Sequence, residues 1–345
     1  VRPYDIDEFA VVEATRETEN GAEPITNFSY MQAWHVSGRG FVCFFTRYNF
    51  PADRTSCFMT STDGVRWSRW QRLAAIDHGH YQVSGVGKGV AGSMMNYHPQ
   101  GKGLNWRTNL YYLETPDFGE TWRSVDGTPL TLPLTTVETP ALVRDYATEG
   151  LNVYLKDIRY DSEDRPVLLY VTSQGYASGP ENDPRTWTIA HWTGDRWIFH
   201  PVTTSDNNYD FGELSLDSDT HWRITAPFAV GPQPYNPGGE ISAWETFDAG
   251  ATWREGQRLT ASSERNHTYV RRPLHAHPDF DALWADGHGR QPSQSSLYIA
   301  RRDGTVYRLP RRMTADHAPL DLVLATTADP TAEARAIDTV SGKEK

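Results

Sequence analysis

Apolar and polar positions alternate with a period of two along most of this chain, in strand-sized runs separated by turn-forming residues. The most apolar stretch, Gly40-Phe-Val-Cys-Phe-Phe45, is itself only strand-sized, far short of the ~18 residues of a membrane-spanning helix. The runs fall into groups of four. A first group reads Tyr30–Val36, Gly40–Tyr48, Ser56–Thr62 and Arg66–Trp70, and a second His80–Gly85, Gly89–Tyr97, Asn109–Thr115 and Thr121–Ser124. A third reads Asn152–Tyr160, Pro166–Ser173, Thr186–Trp192 and Arg196–Val202. A fourth reads Tyr209–Leu216, His221–Phe228, Glu240–Thr246 and Thr252–Leu259, and a fifth Thr268–His275, Phe280–Asp286, Ser296–Arg302 and Thr305–Leu309.

Three segments near the ends of these groups share one pattern. They are Ser61-Thr-Asp63-Gly64-Val-Arg-Trp67, Thr115-Pro-Asp117-Phe-Gly119-Glu-Thr-Trp122 and Thr246-Phe-Asp248-Ala-Gly250-Ala-Thr-Trp253. The pattern describes a turn in which the Asp carboxylate accepts from backbone amides, Gly takes a positive φ and Trp packs between sheets. Degenerate copies end at Trp197 and Tyr307, so the closing aromatics are 55, 75, 56 and 54 positions apart. Four-stranded units at this repeat length predict an all-β fold, a β-propeller of antiparallel blades. Five blades are expected, with six or seven as alternatives, because the insertion Asp126–Gly150 has room for part of another. Residues 30–310 form the propeller domain, 1–29 a segment that packs on or closes it, and 311–345 a C-terminal segment ending in a polar tail.

The Asp boxes resemble those of the BNR-repeat (sialidase-like) β-propeller superfamily, over roughly residues 30–310. That superfamily includes sialidases, exo-arabinanases and xyloglucanases, and related propellers include polysaccharide lyases. The resemblance implies a carbohydrate-active protein whose boxes are structural and lie on the face opposite the usual active site. Fold alone does not settle the chemistry.

Loop lengths point to the same face. The connections between second and third strands are long in every blade: Arg47–Ser56, Asn96–Thr108, Thr172–Arg185, Pro227–Gly239 and Asp286–Ser295. The box-side turns are short, so the site is expected on the box-free side. Five inner strands begin alike, at Tyr30-Met-Gln32, Tyr81-Gln-Val83, Tyr154-Leu-Lys156, Tyr209-Asp-Phe211 and Tyr269-Val-Arg271. Lys156 and Arg271 would then line a channel, where a cation needs either an acidic neighbour (Asp157, Asp210 or Glu213) or an anionic ligand. His80, His98, Arg107, Arg185, Tyr235 and His288 are expected around the same mouth, with Gln32, Glu213 and Tyr269.

Composition changes this picture in one respect. Lys plus Arg number 33 against 44 Asp plus Glu, a net charge of −11, which argues against nucleic acid or an anionic membrane as partner. A cationic mouth on such a protein selects a local anionic ligand. Two cysteines, Cys43 and Cys57, cannot make a disulfide framework or a four-thiolate zinc site, and are read as buried thiols that flank one hairpin. The chain begins at Val1; a glycan-active protein of this kind is expected to be secreted or periplasmic, and monomeric.

Three chemistries stay open. In the leading one, a glycan containing uronic acid is cleaved by β-elimination: Arg271 with Lys156 neutralises the carboxylate, His98 or His80 is the base, and Tyr154 or Tyr235 is the acid. Related propeller lyases use His, Tyr and Arg this way, but carry an Arg where this chain has Thr172. Arg107, Arg185, His288, Glu213, Gln32 and Tyr269 would contact substrate. The alternatives are a glycoside hydrolase, sialidase-like or built on a carboxylate pair, and a non-catalytic glycan-binding propeller. Tyr269-Val-Arg-Arg-Pro273 looks like a sialidase segment but follows the last clear box. No cofactor or zinc is expected: His275-Ala-His277 and His288 belong to opposite ends of a strand. A loop calcium ion stays open. Ser84-Gly-Val-Gly-Lys88-Gly lacks the ending of a phosphate loop and reads as a hairpin turn.

Overall fold

The structure is a computed structural model that describes residues 15–18, 21–24, 28–49, 51–313 and 315–323. Strands β1 (Thr15–Thr18) and β2 (Gly21–Pro24) form a two-stranded sheet. Five blade-like antiparallel sheets follow, each with its strands in sequence order. The first is β3 (Ser29–Val36), β4 (Gly40–Tyr48), β5 (Arg54–Ser61) and β6 (Gln71–Ala74). The second is β7 (Gln82–Val86), β8 (Ala91–Tyr97), β9 (Thr108–Thr115) and β10 (Leu142–Arg144). The third is β11 (Asn152–Tyr160), β12 (Pro166–Ser173), β13 (Arg185–Trp192) and β14 (Trp197–Ser205). The fourth is β15 (Glu213–Leu216), β16 (Trp222–Ala229), β17 (Glu240–Thr246) and β18 (Arg254–Arg258). The fifth is β19 (Asn266–Arg271), β20 (Phe280–Gly287), β21 (Leu297–Arg301), β22 (Val306–Arg308) and a fifth strand, β23 (Asp321–Val323). β23 lies beyond the point where the sequence pattern ends; the polar tail expected after it falls outside the described residues.

The chain divides into two compact units, Val1–Ala177 with Thr186–Pro201, and Ser178–Arg185 with Val202–Lys345. Each has its own core. In the first, Trp122 of the second box stands edge-on to Phe58 and Phe44 of the first sheet, with centroids 4.8 and 6.1 Å apart. Trp197 meets Tyr112 of the second sheet at 5.9 Å. In the second unit, Ile241 and Leu259 pack with Val270, Ala282 and Trp284. Tryptophans at these positions therefore seal neighbouring sheets.

The box turns behave as their residues dictate. Asp63 accepts from the amides of Val65 and Arg66 at 2.9 and 2.8 Å, and these bonds hold its carboxyl down at about 2. Asp248 accepts from Thr246 and Thr252, backbone amide included, with the same result, about 2. Gly119 has a φ of 95°, and a Cβ there would lie 2.7 Å from the Phe58 ring, so the second box needs glycine.

Two expected outer strands are displaced. After the first box Ser68 bonds back to Thr60, which delays pairing to Gln71–Ala74 instead of Arg66–Trp70. In the second sheet, Arg123 makes only isolated bridges, to Glu114 and Pro129, and Leu142–Arg144 is the fourth strand. The insertion Asp126–Gly150 thus completes this sheet and holds no part of a further blade. On the way its Leu134, 5 % exposed, joins the core between the first and second sheets and pairs with the backbone at Leu73 and Ala75. Cys43 and Cys57 stand opposite Met59 and Phe45, both free and buried, and burial raises their thiols to about 11 and about 12.

Candidate functional site

Three segments far apart in sequence are stitched together by backbone hydrogen bonds in the first unit. The N–H of Arg54 donates to the C=O of His78 at 3.1 Å, and that of His80 to the C=O of Arg54 at 2.8 Å. The N–H of His78 donates to the C=O of His98 at 3.2 Å, and that of His98 to the C=O of Gly79 at 2.9 Å. The close approach requires Gly79: its φ is 94°, and a Cβ would stand 1.9 Å from the Arg54 carbonyl oxygen. The start of β5, the link between the first two sheets and the long β8–β9 connection are thereby locked side by side. The long connection expected over Arg47–Ser56 is not found, because β4 runs to Tyr48 and β5 opens at Arg54 in register with it.

A belt of cations and aromatic rings runs over this stitch. The guanidinium carbon of Arg54 lies 5.0 Å from the centroid of Tyr81 and 5.6 Å from Tyr48. That of Arg107 lies 4.5 Å from Tyr81 and 4.7 Å from Tyr154. The Lys156 ammonium is 6.0 Å from Tyr154 and 5.6 Å from Trp187. These are cation–π distances. Nε and Nη1 of Arg54 are buried with no hydrogen-bond partner among the described residues, and no carboxylate pairs with them. The Tyr48 hydroxyl donates to that of Tyr30 at 3.1 Å. Tyr48, partial burial and Tyr81 together push the Tyr30 phenol well above the usual range. Tyr30 is 51 % exposed at a φ of 53°, where the β3–β4 register shifts, so a bulge presents its ring.

The three neighbouring histidines differ. His80 is fully buried; Nε2 accepts from the N–H of Ile76 at 3.0 Å and Nδ1 sits 2.8 Å from the C=O of Asn96. Both ring nitrogens are engaged, so it holds the loop and has no lone pair for a substrate. Burial lowers it to about 4. His98 has Nδ1 3.0 Å from the C=O of Trp106, which makes Nδ1 the donor and Nε2 the lone-pair nitrogen. Nε2 is buried with no hydrogen-bond partner among the described residues, and the imidazole stands edge-on to the Tyr81 ring with centroids 5.3 Å apart. Burial, then the charges of Arg107 and Arg54, bring this imidazole down to about 3. His78, absent from the sequence expectations, is partly exposed, with Nδ1 2.6 Å from Asp53. A carboxylate on Nδ1 fixes the orientation of the ring and leaves Nε2 without a protein partner among the described residues, a position from which it can act as a base.

Other expected residues have structural duties. Gln32 donates to the C=O of Gln82 at 3.2 Å and accepts from the backbone and hydroxyl of Ser84 at 2.7 and 2.9 Å, a clamp between β3 and β7. In the second unit Arg185, fully buried, pairs with Asp183 and donates to the C=O of Gly179 at 3.0 Å, holding the turn Pro180–Asn182. Tyr235 lies at a φ of 59°, and its hydroxyl donates to Asp183 at 3.4 Å; desolvation and that carboxylate raise its phenol. Arg271 lies over the rings of Tyr269 and Phe211 at 4.4 and 5.1 Å and donates to the carbonyls of Val270 and Gly212. Glu213 is buried in β15, and His288 accepts from the N–H of Arg290 at 3.2 Å. The first unit therefore gathers His98, Arg107, Tyr154 and Lys156, while the second holds Arg185 with Tyr235 and Arg271 with Tyr269. Arg54, His78 with Asp53, and Tyr81 complete the first group. Their signals were present as an Arg inside a long loop and a His–Gly–His run, but nothing local joins positions 54, 78 and 98. Among the described residues no group of His, Cys, Asp and Glu could hold a metal ion, and no helix is long and apolar enough to cross a membrane.

A family model for BNR repeat-containing family members matches residues 1–210. Among solved structures the chain is similar to an ulvan lyase from a new family of polysaccharide lyases, at 17 % identity and a TM-score of 0.61 over 86 % of this chain and 68 % of that one. The same enzyme has been solved bound to -[GlcA(1-4)Rha3S]-. The chain is also similar to a protein of unknown function from Dyadobacter fermentans, at 13 % identity and 0.54 over 91 % and 86 % of the two chains. A Hadza microbial sialidase matches at 14 % identity and 0.51 over 82 % and 58 %. No curated protein matches the sequence. At these identities the likeness shows the fold, the all-β propeller of sialidase-like proteins.

Proposed function

The chain belongs to the BNR repeat-containing family, and from that premise we propose that it is a carbohydrate-active enzyme that cleaves a uronate-containing glycan by β-elimination. The observation that carries this reading is the pair of guanidiniums stacked on one tyrosine, with the buried Nε and Nη1 of Arg54 lacking a hydrogen-bond partner among the described residues. A buried cation without a counter-charge is costly, and a substrate carboxylate would offset that cost. The ulvan lyase bound to a glucuronate-containing polymer supports the substrate class.

Arg54 and Arg107 hold the carboxylate and stabilise the negative charge that develops when the C5 proton leaves. His78 Nε2, oriented by Asp53, takes that proton. The electron pair forms the C4–C5 double bond, the C4–O bond breaks, and Tyr81 gives its proton to the departing oxygen. The cycle closes when His78 releases its proton to solvent and Tyr81 regains one from solvent along the Tyr48 and Tyr30 hydroxyls. His98 keeps a neutral lone-pair nitrogen beside Tyr81; burial chiefly depresses it, and a carboxylate bound to the two arginines would offset only the smaller part that their charges add. Lys156 and Tyr154 extend the cationic, aromatic surface along the sugar chain. A polymeric acidic substrate fits a secreted or periplasmic enzyme.

The test is incubation with uronate oligosaccharides while following ultraviolet absorbance of the unsaturated product and, separately, new reducing ends. Elimination gives both signals. Arg54→Gln is expected to lower kcat/KM by about 10²-fold or more and His78→Gln by roughly 10²–10⁴, with the fold intact by circular dichroism. Reducing ends without absorbance would replace this reading with hydrolysis, and binding without either signal would replace it with a glycan-binding propeller.

A further inference from the structure

We infer that the second unit carries a separate binding site, for a sugar unit bearing an oxyanion substituent (a sulfate ester or a carboxylate). A cleft of about 350 Å³ is lined by loop 260–265 and by residues of β19–β23. That volume falls within the range of small-ligand sites, roughly 300–1,000 Å³.

Its floor is rigidly built. Glu240, 8 % exposed, accepts from the Thr260 hydroxyl at 2.5 Å and from the N–H and hydroxyl of Ser263, both at 2.8 Å. His267 Nδ1 accepts from Trp284 Nε1–H at 2.9 Å, so Nε2 carries the ring proton and donates to the Ser263 oxygen at 2.9 Å. The imidazole thus offers this serine a donor, which rules it out as a base-activated nucleophile. The relay fixes a recognition surface and has no catalytic polarity.

The walls select the ligand. Arg265, Arg308 and Arg311 line the cleft against Glu264 and Asp286. Arg265 has no hydrogen bond or ion pair among the described residues, and Arg311 donates to the neutral Gln294 at 2.7 Å. Arg308 is 3.1 Å from Asp321, with both side chains about half exposed, a pairing that competes weakly with a bound anion. Asp286 already accepts from the N–H of Ser296 at 2.6 Å and the Tyr298 hydroxyl at 2.9 Å. A bare inorganic anion would use the guanidiniums and be repelled by Asp286. A sugar uses both: its oxyanion meets the guanidinium forks, and its ring hydroxyls donate to the remaining lone pairs of the carboxylate. The choice of a glycan as ligand rests on the function proposed above; the site stands on its own residues, none of which belongs to the first-unit cluster.

The test measures binding in the Arg54→Gln background, which suppresses turnover, with and without the pair Arg265→Gln and Arg311→Gln. The probes are an unsulfated glucuronate oligosaccharide, a sulfated neutral oligosaccharide, an uncharged oligosaccharide of equal length, and inorganic sulfate. A charged oligosaccharide is expected to bind, and the paired substitution to weaken it about tenfold or more. The charged probe whose Kd the paired substitution raises identifies the oxyanion, because binding retained in the paired variant belongs to the first-unit cluster. An unchanged Kd in the paired variant, or equal binding of the uncharged probe, would overturn the site. Inorganic sulfate binding as tightly as the sugar would reduce it to an anion site. Loss of the elimination reading leaves these outcomes unaltered, since catalysis is not their readout.

Discussion

His80 and His98 are both fully buried, and burial disfavours the imidazolium form, as do Arg107 and Arg54 for His98. An unfolded histidine takes up its proton near pH 6.5, whereas these two do so in the folded protein only near about 4 and about 3. Between those values the unfolded state binds more protons. The contribution of both residues to stability is therefore full above about pH 6.5 and is lost as the pH falls through that window. Urea midpoints are expected to drop steadily from neutral pH toward pH ~4, and less steeply in His98→Gln. A slope equal in the variant would show that His98 is not held neutral by the fold. The sequence marked His80 and His98 as candidates alike. Residue type could not separate them, because the difference is whether Nε2 already accepts a backbone N–H.

At the scale of elements, the box turns and most inner and middle strands were legible, since they follow from local rules: a carboxylate over backbone amides, a glycine at positive φ, alternation of side chains. Outer strands were less so. The second sheet takes its fourth strand from residues 142–144, after a segment whose Leu134 fills space between two sheets. Leu134→Ala is expected to cost roughly 2–5 kcal/mol of stability while leaving kcat/KM unchanged in the folded protein. Gly79→Ala should do the opposite to activity. Its Cβ cannot lie 1.9 Å from the Arg54 carbonyl oxygen, so the stitch must part and catalysis fall even where the fold survives. Calorimetry with parallel turnover measurements separates the two; preserved activity in Gly79→Ala would remove the stitch from the mechanism.

For the molecule as a whole, net charge and local charge have opposite signs. A net charge of −11 repels polyanions at long range, yet Arg54, Arg107 and Lys156 lie together on aromatic rings in the first unit. Near physiological salt the Debye length is about 8 Å, so the local site acts on a ligand only once it is in contact. Uronate oligosaccharides are therefore expected to bind at about 0.15 M salt while duplex DNA of similar charge does not, as read by fluorescence anisotropy. Comparable DNA affinity would mean that charge alone drives recognition.

By itself the sequence determined what depends on near neighbours: all-β class, repeating four-stranded units with five favoured over six or seven, and the box turns with their sealing tryptophans. It also offered His98, Arg107, Tyr154 and Lys156 as candidates, from a long loop and an inner strand, and their roles rest on the proposed function. Tertiary structure alone decided which side chains keep a usable atom. It occupied both nitrogens of His80, both ends of the Gln32 amide and the fork of Arg185, and it brought Arg54 and His78 beside His98. The physical reason is that hydrogen-bond saturation and cation–aromatic stacking are set by groups dozens of residues apart, where no periodicity reaches.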